Sequence, residues 1–268
     1  LLPEDLKAWG WRIPFFFFSI SAIVVVFLRR SMTETASVKE MKSKEAGSIR
    51  ALLKHKRAVI LTVAITMGCS LYYYTFTSYM QKYLMLSVGM DAGTVSFIMT
   101  SALVCFMICQ PFFGMLADRI GVKKSMMLFG GLATVLVVPI LTTLKTVSSP
   151  YAAFALIMSG LLVAAFYTPV TGVLKADLYP ASVRALGVGL PYAIGNALCG
   201  GTAEYVALML KSMGIESYFF YYVAALVCVT FIASMLMPDL RKHGYLDGTG
   251  SVEENFAGPS GYSRSALP

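Results

Sequence analysis

"GMLADRIGVKK", residues 114 to 124, closes one uncharged stretch (92–117) and opens another (125–144), with three cations and one aspartate in the turn between them. At about 1.5 Å per residue, roughly 20 residues of helix cross a hydrocarbon core about 30 Å thick. The stretch therefore reads as two membrane-crossing helices joined by a charged turn at the bilayer surface. Working outward, the same alternation recurs: uncharged stretches lie at 13–28, 58–81, 146–174, 185–203 and 217–238, separated by charged connectors. With 57% hydrophobic and only 13% charged residues, the chain has too few charges to cover a soluble protein of 268 residues. The core of a large soluble enzyme accounts for one or two such runs, not for seven in succession. The sequence predicts an all-α membrane protein with seven transmembrane helices.

The formal net charge of +8 invites a nucleic-acid reading, but the distribution of Lys and Arg gives a different account. Nine cations lie in 29–57, three in 118–124, two in 175–184 and three after residue 238. The alternate side carries only Lys7, Arg12, Lys82, Lys145 and Lys211. This asymmetry follows the positive-inside rule and predicts a cytoplasmic C-terminus, so topology explains the charge without nucleic acid. Cys69, Cys105, Cys109, Cys199 and Cys228 all fall in apolar runs and read as packing residues. Cys105 and Cys109 share a helix face, but no His or carboxylate stands beside them, and neither a metal nor a cofactor is assigned.

Five segments follow. Residues 1–12 read as an extracytoplasmic connector, with Trp9 and Trp11 at the interface and Pro14 in the first turn of the helix 13–28. Residues 29–57 form the central cytoplasmic loop, in which Ile49, Leu52 and Leu53 stand at helical spacing among Arg50, Lys54, Lys56 and Arg57. Either a short helix on an anionic leaflet or a solvated linker fits that pattern. Residues 58–238 hold six spans, and 239–268, rich in Gly, Ser and Pro, read as a disordered cytoplasmic tail. One span before the long loop and six after it, with no initiator methionine, suggest a piece of a longer chain.

In the opening stretch Gly114, Asp118, Arg119, Gly121, Lys123 and Lys124 follow the pattern G-x-x-x-D-[RK]-x-G-x-[RK]-[RK]. This resembles the cytoplasmic signature of the major facilitator superfamily, which recurs between the second and third helices of each six-helix half. Val122 departs from it, standing where a basic residue is common. Gly114 would permit close helix approach, Gly121 the turn, and Asp118 hydrogen bonds to a helix N-terminus or an arginine. A positive-inside turn with no mechanical part is the alternative. A second element, "DLYPASVRALGVG" (177–189), resembles the segment after the fourth helix of such a half. On that resemblance Asp118, Arg119, Asp177 and Arg184 would form a cytoplasmic charge cluster that breaks and reforms. "WGWRIPF", "LRRSMTET" and "YTFTSYMQKYL" extend the likeness to the metabolite:proton symporter branch over about residues 9 to 237. The implied whole is a twelve-helix carrier of the bacterial inner membrane. This chain would supply its sixth helix and C-terminal six, with the N-terminal half as a missing partner. The implied activity is symport of protons with a small carboxylate, 2-oxoglutarate first, or alternatively another organic acid or a zwitterionic osmolyte. An inactive truncated half is a further alternative. No covalent chemistry is implied, so the chain is not expected to be an enzyme.

Polar groups inside a membrane cost free energy unless they face a cavity or a partner. In 58–81, Thr66, Ser70, Tyr74, Thr77 and Gln81 recur at three- and four-residue spacing, with Tyr73 beside them. In 146–174, Tyr167, Thr168 and Thr171 surround Pro169, which can kink a helix. These are candidate substrate contacts, or else ordinary helix-to-helix hydrogen bonds. In 185–210 a small-residue ridge (Gly189, Ala193, Ala197, Gly201) runs beside a polar stripe (Tyr192, Asn196, Gly200, Glu204). Glu204 alone among acids and bases falls within a span. Burial there would favour its protonated form and make it the proton-coupling candidate, unless it reaches water or a cation. A dianion needs cations, and the sequence offers Lys175 and Arg184 at one end and Lys82 at the other, with Lys175 expected to be accessory.

Overall fold

The computed structural model describes residues 5–31, 47–240 and 244–245, and every regular element among them is helical. Two compact units divide at Lys42 and Ser43. The first holds α1 (Arg12–Ser31), preceded by a π-helical turn at Leu6–Gly10. Pro14 sits in the first turn of α1, where its missing N–H leaves no bond unmade. The Arg12 guanidinium lies 4.7 Å from the Trp11 ring centroid and donates to Ala8 O at 3.0 Å. The side chains from Trp11 to Leu28 are exposed.

The second unit begins with one helical run, Ile49–Val88. It comprises α2 (Ile49–Leu52), a 3-10 turn (Leu53–His55), α3 (Lys56–Tyr74), a π turn (Thr75–Tyr79), α4 (Met80–Tyr83) and a second π turn (Leu84–Val88). Ser48 caps it, its side chain accepting from Ala51 N at 3.5 Å, and Gly89 at φ +78° ends it. The helix thus starts nine residues before the uncharged stretch. Leu52 is buried in the core and α2 packs on the helix Ala181–Gly195, while Ile49 and Leu53 are exposed. The rest of the expected central loop, and the tail beyond Tyr245, lie outside the described residues.

Then come α5 (Ala92–Ile120), α6 (Val122–Leu144), α7 (Pro150–Ala165), α8 (Thr171–Asp177), α9 (Ala181–Gly195), a π turn (Asn196–Gly200), α10 (Ala203–Ser212) and α11 (Ser217–Leu236). Asp91 caps α5 through its carboxylate, which accepts from Thr94 N at 3.1 Å.

Among the described residues, five helical stretches are long and apolar enough to cross a membrane: Ala8–Arg29, Ile49–Val88, Ala92–Ile120, Val122–Leu144 and Ser217–Leu236. The other two expected spans are interrupted. Between α7 and α8 the chain leaves the α-helix over residues 166–170, where Pro169 has no N–H to donate and disfavours helical backbone before it. Between α9 and α10 the break follows a π turn and falls at Gly201 and Thr202.

α3 forms the axis of the second unit, packed against α11, α9 and α7, with α6 closing on α11 and α7, and α5 on α7. Lipid offers no hydrophobic drive to hold helices together, so close backbone approach and interhelical hydrogen bonds do that work. At Gly68 an added Cβ would lie 2.3 Å from Thr230 Oγ1 and 2.5 Å from Leu226 O, so only glycine lets α3 touch α11 there. Thr230 Oγ1 donates across this contact to Ala64 O at 3.0 Å. Tyr72 donates to Gly160 O (3.0 Å) on α7, Tyr83 to Leu141 O (2.8 Å) on α6, and Thr62 Oγ1 lies 2.9 Å from Tyr179 Oη. On α9 the packed face is Gly187, Pro191 and Gly195, not the ridge Gly189, Ala193, Ala197 and Gly201, which is exposed. Stripes of period four look alike in sequence, and α3 decides which of them is covered.

Candidate functional site

A cavity of about 540 Å³ opens beside α3, where both interrupted helices meet it. From α3 it takes Cys69, Ser70, Tyr73 and Tyr74, and from α5 Leu103, Phe106, Met107 and Gln110. The break between α7 and α8 supplies Tyr167 and Thr168, and α8 supplies Thr171 and Lys175. Tyr192 of α9 and Asn196 of the following π turn complete the lining. Interrupting a helix frees backbone groups and turns side chains inward, tolerable at membrane depth only beside protein or a cavity.

Lys175 is 5% exposed, and its Nζ stands 4.1 Å from the Tyr192 ring centroid. Among the described residues, no carboxylate lines the cavity with it. A buried ammonium beside a ring face, with no acid among the described lining residues, leaves its charge to be offset by an anion. Tyr167 is committed elsewhere: its hydroxyl donates to Cys69 O at 2.9 Å, and its ring meets Phe129 at 4.4 Å. Tyr73 and Tyr74 pack edge to face at 6.0 Å. A Cβ on Gly200 would lie 2.8 Å from the Tyr74 ring, so glycine there lets the tyrosine reach the cavity wall.

Of the polar residues singled out in the sequence, Ser70, Tyr73, Tyr74, Tyr167, Thr168, Thr171, Lys175, Tyr192 and Asn196 line this one space. Thr77 and Gln81 do not. Thr77 Oγ1 donates to its own helix at Tyr73 O (2.7 Å), and Gln81 is exposed. The π turn Thr75–Tyr79 is the reason: its wider turn shifts the helical phase, so a stripe extrapolated from Ser70 and Tyr74 leaves the cavity face. Gln110 was not anticipated. It is a lone amide before Pro111 in an otherwise apolar run, and an uncharged polar residue ahead of a helix proline was the available signal.

Glu204 is 38% exposed by side chain and paired with Lys82. The expected burial is thus replaced by an ion pair tying α10 to α4. The more deeply buried carboxylate is Glu216, 7% exposed at the start of α11. It accepts from Tyr79 Oη (3.2 Å) and Ser87 Oγ (2.5 Å), with Lys145 and Lys211 Nζ each 3.7 Å away. This cluster gathers the ends of the α3–α4 run, α6, α10 and α11.

At the opposite end, Gly121 adopts φ +96° and links α5 directly to α6. Gly114 is no close approach: a Cβ would meet only Pro169 Cβ, at 3.8 Å. Asp118 and Arg119 stand exposed at the end of α5, with Lys123 and Lys124 in the first turn of α6. Cations at a helix N-terminus oppose its dipole, a cost offset by an anionic membrane surface. Asp177 and Arg184 converge on the stretch Gly244–Tyr245: Tyr245 N donates to Asp177 O at 3.3 Å, and Arg184 donates to Tyr245 O at 3.5 Å and Tyr179 O at 3.2 Å.

The model of the Major Facilitator Superfamily matches residues 75–253. Among curated proteins, the alpha-ketoglutarate permease of Escherichia coli (strain K12) is 51% identical over 232 residues, covering 87% of this chain and 54% of that protein. An inner membrane metabolite transport protein of the same strain is 26% identical, covering 90% of the chain and 57% of the relative. Its proline/betaine transporter is 24% identical, covering 92% and 52%. The chain spans about half the length of the curated relatives it matches. No solved structure matches. The family match covers well over half of the chain, including both interrupted helices that build the cavity, and on it this chain belongs to the Major Facilitator Superfamily.

Proposed function

We propose that the chain forms the C-terminal helical bundle of a secondary carrier that moves a small carboxylate, 2-oxoglutarate first, together with protons. One observation carries this reading: among the described residues, a cavity lined by hydroxyl, amide and aromatic groups holds one buried ammonium, Lys175, and no carboxylate. A carboxylate substrate supplies the missing counter-charge. The 51% identity to a protein named for alpha-ketoglutarate supports the choice of substrate. A zwitterionic osmolyte would bring a second ammonium into a cavity that already holds the buried Lys175, a like charge with no acid in the lining to offset it.

In this reading the cavity, open on one flank, is closed by the segment that the relatives carry beyond the matched stretch. The two bundles rock about the bound anion, so that it faces each side of the membrane in turn. Both interrupted helices cross the membrane, giving seven spans with a cytoplasmic C-terminus. Asp118, Arg119, Asp177 and Arg184 form the charged cytoplasmic end that opens and closes. Glu204 receives the coupling proton: protonation neutralises its carboxylate, releases Lys82 and loosens α10 from α4. Proteoliposomes holding the complete carrier test this. Labelled 2-oxoglutarate is expected to accumulate when a proton gradient is imposed, and an inert labelled substrate would sink the reading.

A further inference from the structure

We propose that Gln110 and Thr171 form a neutral donor subsite that reads the 2-oxo oxygen of the substrate, separately from the carboxylate that meets Lys175. This rests on the carboxylate reading above. Thr168 Oγ1 donates to Gln110 Oε1 at 2.7 Å, bridging the break between α7 and α8 to α5. That bond occupies the amide's carbonyl and fixes its plane, leaving the NH₂ as the end able to serve a ligand. Gln110 Nε2 is buried and has no partner, and Thr171 Oγ1 is in the same condition. Orphaned buried polar atoms are rare; of the three among the described residues, Thr66 Oγ1 lies outside the cavity lining, and the two that belong to it, Gln110 Nε2 and Thr171 Oγ1, are best explained by a ligand that completes them.

The chemistry of those atoms selects the ligand group. Both can donate a hydrogen bond and neither carries charge, which suits a neutral carbonyl oxygen better than a second carboxylate, whose natural partner is a cation. Thr171 and Lys175 are four residues apart on α8 and so share one face, one turn apart. Lys175 can therefore hold a carboxylate while Thr171 and Gln110 reach an oxygen farther along the same molecule. Sequence reading did not find the pairing because Gln110 and Thr168 are 58 residues apart and no charge marks either one.

Competition by glutarate, the same dicarboxylate without the oxo group, isolates the claim. In the complete carrier, unlabelled 2-oxoglutarate and glutarate are each titrated against uptake of labelled 2-oxoglutarate. Glutarate is expected to compete about tenfold less well, the scale of one buried hydrogen bond lost. Gln110→Leu and the near-isosteric Thr171→Val should each bring the ratio of the two competitors toward one by weakening 2-oxoglutarate alone. Lys175→Gln should weaken both competitors alike and keep the ratio. Two variants at different helices guard against one that misfolds. The proposal is overturned if wild-type carrier does not discriminate, or if the folded variants keep the wild-type ratio. Absence of any carboxylate uptake by the wild type would instead overturn the function itself, and this subsite with it.

Discussion

Glu216 offers the most quantitative test of how the bundle is held together. Replacing it by alanine removes the acceptor of the hydroxyl of Tyr79, a residue only 1% exposed. Leaving such a donor unpaired costs about 1–3 kcal/mol. The Lys145 and Lys211 pairs, each at 3.7 Å, involve side chains 47% and 29% exposed, so screening limits each to about 0.2–1 kcal/mol. Glu216→Ala should therefore cost about 3 kcal/mol, and Glu216→Gln, which keeps an acceptor oxygen, about 1 kcal/mol. At roughly 2–4 °C per kcal/mol for a unit of this size, Tm should fall by about 6–12 °C and about 2–4 °C respectively. The assay is thermal unfolding of purified protein in detergent micelles, followed by far-UV circular dichroism. Adding Tyr79→Phe to Glu216→Ala should recover part of the loss, because the stranded hydroxyl goes with it. Equal effects of Ala and Gln, or no recovery by Phe, would refute the argument that a buried hydrogen bond rather than charge dominates this cluster.

Three further perturbations follow from the geometry. Gly68→Ala places a methyl 2.3 Å from Thr230 Oγ1 and should lower stability by about 1–3 kcal/mol in the same unfolding assay, while Gly114→Ala, whose methyl meets Pro169 Cβ at an ordinary 3.8 Å, should be near neutral. Gly121→Ala forces a side chain into φ +96°, ψ 145°, a region essentially reserved for glycine, and should cost about 1–3 kcal/mol, measured as a lower Tm with wild-type substrate competition retained. Glu204→Gln breaks a half-exposed ion pair and should change stability by no more than about 1 kcal/mol. Its uptake, however, should lose dependence on an imposed proton gradient, and gradient-driven accumulation at the wild-type level would remove Glu204 from proton coupling.

Much of this architecture was legible in the charge pattern, because a bilayer punishes unpaired charge and leaves a coarse imprint of runs and turns. The charged turn 114–124 announced the α5–α6 hairpin, and Pro169 marked the break that brings Tyr167, Thr168, Thr171 and Lys175 to the cavity. What failed was phase. Thr77 and Gln81 were extrapolated along a regular helix, and the π turn at Thr75–Tyr79 rotated them away. Lys175 read as terminal because it follows the uncharged stretch, yet the interruption before α8 folds it into the cavity with its charge buried. Glu216 was hidden in a connector, since its burial comes from helix ends that are distant in sequence.

The central claim is that the ammonium of Lys175 is the cationic contact of this bundle for a carboxylate substrate. Its most direct test is the uptake of labelled 2-oxoglutarate by the complete carrier, wild type and Lys175→Gln, in proteoliposomes under an imposed proton gradient. Accumulation by the wild type with at least a tenfold weaker apparent affinity in the folded variant is the expected result. Wild-type uptake that Lys175→Gln leaves unchanged would contradict it.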